Sequence, residues 1–194
     1  NNRGFDLMLG TAGKSADFRW DISGNISWNR AKWDHYEEPE YTEEWQIRTN
    51  KNSGNWTDRS IGYLTDGLFT SQEEINNLGY NQDGNDNKNL RPGDVKIIDY
   101  NKDGKINQED MVVIGKGNVP NWMAGLNMNV AYRNFDLSAL LQGAFGYSTG
   151  IAAKGGSTLY FEERWTPENN RKDGIVPRPG SFSPTNGYAS DFWL

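Results

Sequence analysis

Asp99 to Asp110 reads Asp-Tyr-Asn-Lys-Asp-Gly-Lys-Ile-Asn-Gln-Glu-Asp. A calcium loop needs oxygen ligands at positions 1, 3, 5, 7, 9 and 12, with glycine at 6 for the sharp turn. Asp99, Asn101, Asp103 and Asp110 fill positions 1, 3, 5 and 12, and Gly104 falls at 6. Lys105 would give its backbone carbonyl at 7, Ile106 is the apolar anchor at 8, and Asn107 stands at 9. The expectation is one structural Ca²⁺. The alternative is an Asx-rich turn, because short polar side chains also bond their own backbone.

Asp110 in place of Glu at position 12 resembles the dockerin variant of the loop. Asp83, Asn85, Asn87 and Asp94 repeat the spacing, but position 6 is Lys88 and Arg91-Pro92 interrupts the later half. A cation in the turn opposes calcium, so this second segment reads as a solvated loop. His35 is the only histidine and the chain has no cysteine, which excludes a multi-histidine or thiolate zinc site and a cysteine nucleophile. Glu162 and Glu163 are adjacent, and in a strand they would point to opposite faces. No nucleophile elbow, P-loop or dinucleotide fingerprint is present. The reading is that the chain is not an enzyme. Trp45, Trp56, Tyr160 and Trp165 fall in long connections, where they could grip a substrate or partner or pack the connections onto each other.

The 194 residues are 35% apolar, yet include 8 Trp, 9 Tyr and 8 Phe. A polar, aromatic-rich chain suits a membrane barrel, where an outer apolar band alternates with a polar lumen between aromatic girdles. It also suits a secreted carbohydrate-binding sandwich. The net charge of −6 argues against a general nucleic-acid partner. No run approaches the roughly 20 apolar residues of a spanning helix, which excludes nothing about barrel strands.

The elements that would position these residues alternate with period two. Phe18, Trp20, Ile22, Ile26 and Trp28 share one face of a strand over Asp17–Asn29. Phe5, Leu7 and Leu9 make a shorter alternation before it, and Gly10–Ala16 reads as a turn. Trp122–Tyr132 and Phe135–Tyr147 form a hairpin turning at Arg133-Asn134, with Leu126, Met128, Val130, Leu137, Ala139 and Leu141 on the apolar face. Asn127, Asn129, Ser138 and Gln142 lie opposite. About 11 residues per strand matches a tilted bilayer crossing.

The fold expected is all-β, part of a large transmembrane β-barrel with long extracellular loops. Residues 1–33 are barrel strands, 34–121 a long extracellular loop holding the calcium-like loop, 122–147 the transmembrane hairpin, and 148–194 a second loop and the start of another strand. An acidic stretch from Asp34 to Glu44 opens the first loop, and Ser71 and Glu74 mark a short capped helix. Pro167, Pro177, Pro179 and Pro184 keep the second from forming central strands.

An ordered string of motifs then resembles the SusC/RagA-like family of TonB-dependent outer-membrane transporters. It runs through Gly62-Tyr63-Leu64-Thr65-Asp66-Gly67-Leu68-Phe69, Gly93-Asp94-Val95-Lys96 and the calcium-like loop. It continues in Ile114-Gly115, Tyr132-Arg133-Asn134-Phe135-Asp136-Leu137-Ser138, Gln142-Gly143-Ala144, Arg164-Trp165-Thr166-Pro167 and Ser190-Asp191-Phe192-Trp193-Leu194. The resemblance implies a barrel with an internal plug in the cell outer membrane. It further implies pairing with a SusD-like surface lipoprotein and import of glycans or peptides with TonB-coupled energy. A plug and a TonB-contacting segment are not recognisable here, so the resemblance implies a C-terminal-half portion. The competing reading is a soluble calcium-stabilised carbohydrate-binding or dockerin-like module.

Overall fold

The computed structural model describes residues 1–150, 158–179 and 185–194. The strands are β1 (Asn2–Ser15), β2 (Phe18–Ala31), β3 (Arg59–Gly62), β4 (Thr65–Leu68), β5 (Val95–Ile97), β6 (Val112–Lys116), β7 (Trp122–Tyr132) and β8 (Phe135–Phe145). Among the described residues three short helices accompany them: α1 (Glu44–Thr49), α2 (Gln72–Asn76) and α3 (Thr158–Glu163). The fold is all-β in class. Among the described residues no helix is long and apolar enough to cross a membrane.

The chain divides into two units. The first contains an antiparallel sheet in the order β1-β2-β7-β8. Its register gathers the alternating sequences into continuous rows. Phe5, Trp28, Trp122 and Phe145 align across one end, and Ser15, Phe18, Tyr132 and Phe135 across the other. Between them, Leu9, Gly24, Leu126 and Leu141 form one apolar row, and Thr11, Ile22, Met128 and Ala139 another. The opposite face carries rows such as Ala12, Asp21, Asn129 and Ser138. Because the side-chain period is two, a one-residue slip in any strand would mix these faces.

The turn expected over Gly10–Ala16 is not there. β1 runs on to Ser15, and only Ala16 and Asp17 turn, with Ala16 at φ 48°. Gly13 is a strand residue whose reason is packing: it faces Trp20, and a Cβ there would meet the indole ring at 2.2 Å. The aromatic covers the glycine, and alternation continues through it. The second turn is at Arg133-Asn134 as the sequence predicts, with Arg133 at φ 52°. Both turns lie at one end of the sheet. Arg133 N–H donates to the Asp17 carbonyl at 3.0 Å and its Nε to Asp17 Oδ2 at 3.1 Å. β8 stops at Phe145, so Tyr147, where the sequence reading ended this strand, lies beyond it.

The second unit comprises residues 38–51, 59–115 and 149–194. The segments read as long loops therefore have a core of their own, in which Leu68, Phe69, Ile75, Leu90, Val95 and Ile97 are at most 1% exposed. Short pairs β3-β6 and β4-β5 brace it. Buried Gln82 completes the ladder beside β5: its Nε2 donates to the Val95 carbonyl at 2.8 Å, and its Oε1 accepts the Ile97 N–H at 2.9 Å. The α2 cap differs in detail from the expected box. Ser71 Oγ accepts the Glu74 N–H at 3.1 Å, but Glu74 reaches back to the Thr70 N–H at 3.0 Å, one residue earlier than the box requires. Glu162 and Glu163 lie on α3 rather than in a strand, and Glu163 pairs with Arg171 at 2.8 Å. Pro184 lies outside the described residues.

Candidate functional site

The loop from Asp99 to Asp110 closes on its own backbone. Asp99 accepts the Lys102 N–H at 2.7 Å and the Gly104 N–H at 2.9 Å. Asn101 Oδ1 accepts the Asp103 N–H at 3.0 Å, and Asp103 Oδ1 accepts the Lys105 N–H at 3.1 Å. Asp110 accepts from Tyr100 at 2.9 Å and Asn107 at 2.8 Å. Left-handed backbone at Lys102 (φ 61°) and Gly104 (φ 87°) makes the reversals. Ile106 and Asn81 anchor the loop: Asn81 N–H donates to the Gly104 carbonyl and Ile106 N–H to the Asn81 carbonyl, both at 2.9 Å. This bridge leaves the Lys105 carbonyl outside it.

The donor set is all oxygen, the kind a hard divalent cation takes. The placement is a poorer fit than the types. Among the described residues no three His, Asp or Glu side chains come together as a metal site. Asp110 is fully buried, and that burial pushes its carboxyl above the ordinary range despite the N–H bonds it accepts. Asn107 Oδ1 serves the Glu109 N–H at 2.6 Å, capping the short helical turn over Gln108–Asp110. The geometry on its own describes an Asx-rich turn.

The degraded second repeat is a structural knot. Asp83 accepts the N–H groups of Asn85, Asn87 and Asn89 at 2.7–2.8 Å. Asp94 takes no part in the Asp83 knot: it accepts the Arg91 N–H at 2.9 Å and is buried against Arg178 and Asn186. No sequence motif marks this contact, because its partners lie far downstream in a proline-rich segment.

The four aromatic candidates do not meet one another; among the described residues no ring contact joins any two of them. Each is half-buried. Trp56 stands edge-on to Trp28 at 6.4 Å, with the Arg30 guanidinium over its ring at 4.4 Å. Trp165 lies across Gly93, where a Cβ would come within 2.4 Å of the indole, and its Nε1 bonds Asn170 at 3.0 Å. Tyr160 touches Phe161 edge-on at 5.8 Å. Trp45 sits on α1. Packing accounts for Trp56 and Trp165.

What the structure does assemble is a two-faced wall. Its apolar face is open: Leu9, Leu137 and Leu141 are 59–68% exposed. A sandwich would bury these residues under a second sheet. From Phe18 to Trp28 the strand rises about 33 Å at roughly 3.3 Å per residue. Tilted by about 40°, that distance spans about 25 Å, the height of the apolar band in outer-membrane barrels.

The chain is similar to a TonB-dependent receptor. The relative is TonB-dependent receptor P26 of Formosa agariphila, 33% identical over 143 residues. The match covers 64% of this chain and 13% of that receptor's length. It supports the TonB-dependent receptor family, and the four-stranded wall fits a fragment of such a barrel. TonB-dependent receptors are transporters, not enzymes. No family profile matches the chain.

Proposed function

We propose that this chain forms part of the barrel wall and the extracellular connections of a SusC/RagA-like outer-membrane importer. The observation that carries the reading is the register, which sorts four strands into one apolar and one polar face and sets an aromatic row at each end of the apolar face. The similarity to a TonB-dependent receptor supports it independently. Four strands are too few to close, since such barrels have at least eight, so the remaining strands belong to the rest of the protein. The substrate would be a glycan or peptide, the energy would come through the TonB system, and a SusD-like lipoprotein would work beside it.

The test is fractionation and affinity isolation of the whole protein from its own cells. Recovery in the outer membrane, with a surface lipoprotein co-isolated and uptake of a glycan or peptide lost on deletion, is the expected result. Recovery in the soluble fraction would overturn the reading in favour of a calcium-stabilised binding module.

We also propose that Asp99, Asn101, Asp103, the Lys105 carbonyl, Asn107 and Asp110 hold a structural Ca²⁺. The spacing, the all-oxygen donors and the reversals at Lys102 and Gly104 support it. Binding would draw Asp99 and Asp103 together through lone pairs that their N–H bonds leave open.

A further inference from the structure

We propose that Arg3, Arg30 and Lys32 form a binding site for the phosphate of an outer-leaflet lipid headgroup. The proposal rests on reading the four-stranded sheet as membrane wall, and goes beyond it. Arg3 faces Arg30 directly across β1 and β2, and the next pair on the same face is Phe5 and Trp28. The cations therefore stand one pleat beyond the aromatic row, on the face assigned to lipid, at the end away from the tight turns. Aromatic rows of this kind sit at the membrane–water interface. The level just outside them is that of the headgroups.

Like charges placed directly opposite destabilise an antiparallel pair. Asp58 answers one of them. Arg30 Nε donates to both of its oxygens, at 3.0 and 3.1 Å, and Asn121 Nδ2 holds the same carboxylate at 3.0 Å. With its guanidinium over Trp56, Arg30 is fixed in place. Arg3 has a much weaker answer: Asp34 lies 4.0 Å away, and the two side chains are 54% and 55% exposed. An exposed pair at that distance contributes little. Lys32 Nζ sits 5.9 Å from the Trp56 ring centre, with no carboxylate in ion-pair range among the described residues.

Three cations thus face two carboxylates, and Asp34, 4.0 Å from Arg3, accepts its short bond from the Asn1 amide at 2.8 Å instead. A phosphate oxygen group supplies the missing charge. Arginine presents a planar fork that matches phosphate, and lysine adds a point charge. The height of the cluster, set by the aromatic row, selects a phosphate borne on a lipid over one free in solution.

The test uses the whole protein that contains this chain, inserted in nanodiscs. The probes are diphosphorylated lipid A, the same lipid after phosphatase treatment, and inorganic phosphate. Native mass spectrometry reads the lipid retained, and heat-modifiable migration on gels confirms that each variant is a folded barrel. Wild type should retain the phosphorylated lipid preferentially. Arg3→Gln and Lys32→Gln should each reduce that retention about fivefold, the effect of roughly 1 kcal/mol per basic residue near a charged membrane. Arg3→Lys should restore part of it. Equal retention of the two lipids, unchanged retention in both variants, or equal competition by millimolar inorganic phosphate would overturn the proposal while leaving the barrel intact. Failure to insert at all would instead overturn the barrel reading, and this one with it.

Discussion

Asp94 and Arg178 meet in a forked, half-buried ion pair across 84 residues of chain, Nη2 reaching both carboxylate oxygens at 3.0 and 3.1 Å and Nε reaching Oδ1 at 3.2 Å. Asp94 is fully buried, and Asn186 and the Arg91 N–H fill its remaining acceptor sites at 3.1 and 2.9 Å. The pair joins the segment before β5 to the proline-rich segment after α3, beside the buried Val176 and the Arg178 N–H bond to the Gly93 carbonyl at 2.8 Å. Removing one partner strands the other's charge. Arg178→Ala, which leaves the buried Asp94 carboxylate unpaired, should loosen the second unit by about 3–5 kcal/mol, and Asp94→Ala, which leaves a partly exposed guanidinium, by less. Hydrogen exchange of the β5 amides checks this. The double variant should cost much less than the sum of the two; strict additivity would mean that the pair acts through something else.

The short turns and the long connections leave opposite ends of the wall, so they should face opposite sides of the membrane. A cysteine at Asn85 should react with an impermeant maleimide on intact cells, and one at Asn134 only after the outer membrane is opened. The reverse pattern would invert the topology.

The two faces of β7 should respond differently to charge. Met128 lies in the middle of the apolar face and Asn129 on the polar one. Arg at Met128 should destabilise by about 2–4 kcal/mol, and Arg at Asn129 by much less. Urea titration of the protein in lipid vesicles measures both, and equal costs would argue against a membrane wall.

Acid should loosen the second unit through a charge network. Lys96 bridges Glu74 at 2.9 Å and Asp66 at 3.2 Å, and Lys172 reaches Asp66 at 2.6 Å. The Lys172 hydrogen bond, outweighing burial and aided by Lys96, holds Asp66 below the usual carboxylate range. Burial works to raise Glu74, but the Thr70 N–H and Lys96 outweigh it, and its carboxyl is also held low. Because both are depressed in the folded state, their contribution is present above the ordinary carboxylate range and is lost as pH falls through the lowered values. Protease resistance of the second unit should therefore decline below about pH 4, and Lys96→Met should flatten that decline.

Millimolar calcium should protect the loop over Asp99–Asp110 from proteolysis, and chelation should expose it without unfolding the barrel. Asp99→Ala together with Asp103→Ala should abolish the calcium effect. Calorimetry showing no heat at millimolar calcium would reduce the segment to an Asx-rich turn.

Sequence by itself determined the wall, because strand periodicity is local: Phe18 to Trp28, Trp122 to Tyr132 and Phe135 to Phe145 carry their face assignment in every second residue. It also located the Arg133-Asn134 turn and the Ser71 cap, whose signals span a few residues. Gly10 and Gly13 misled it, since only the tertiary register shows Trp20 lying over Gly13 in a strand. The core of the second unit, the reach of Gln82 to β5, the packing of Trp165 on Gly93 and the burial of Asp94 under Arg178 were decided by tertiary structure alone. Each depends on residues brought together from distant points of the chain, where no local pattern records which partner will arrive.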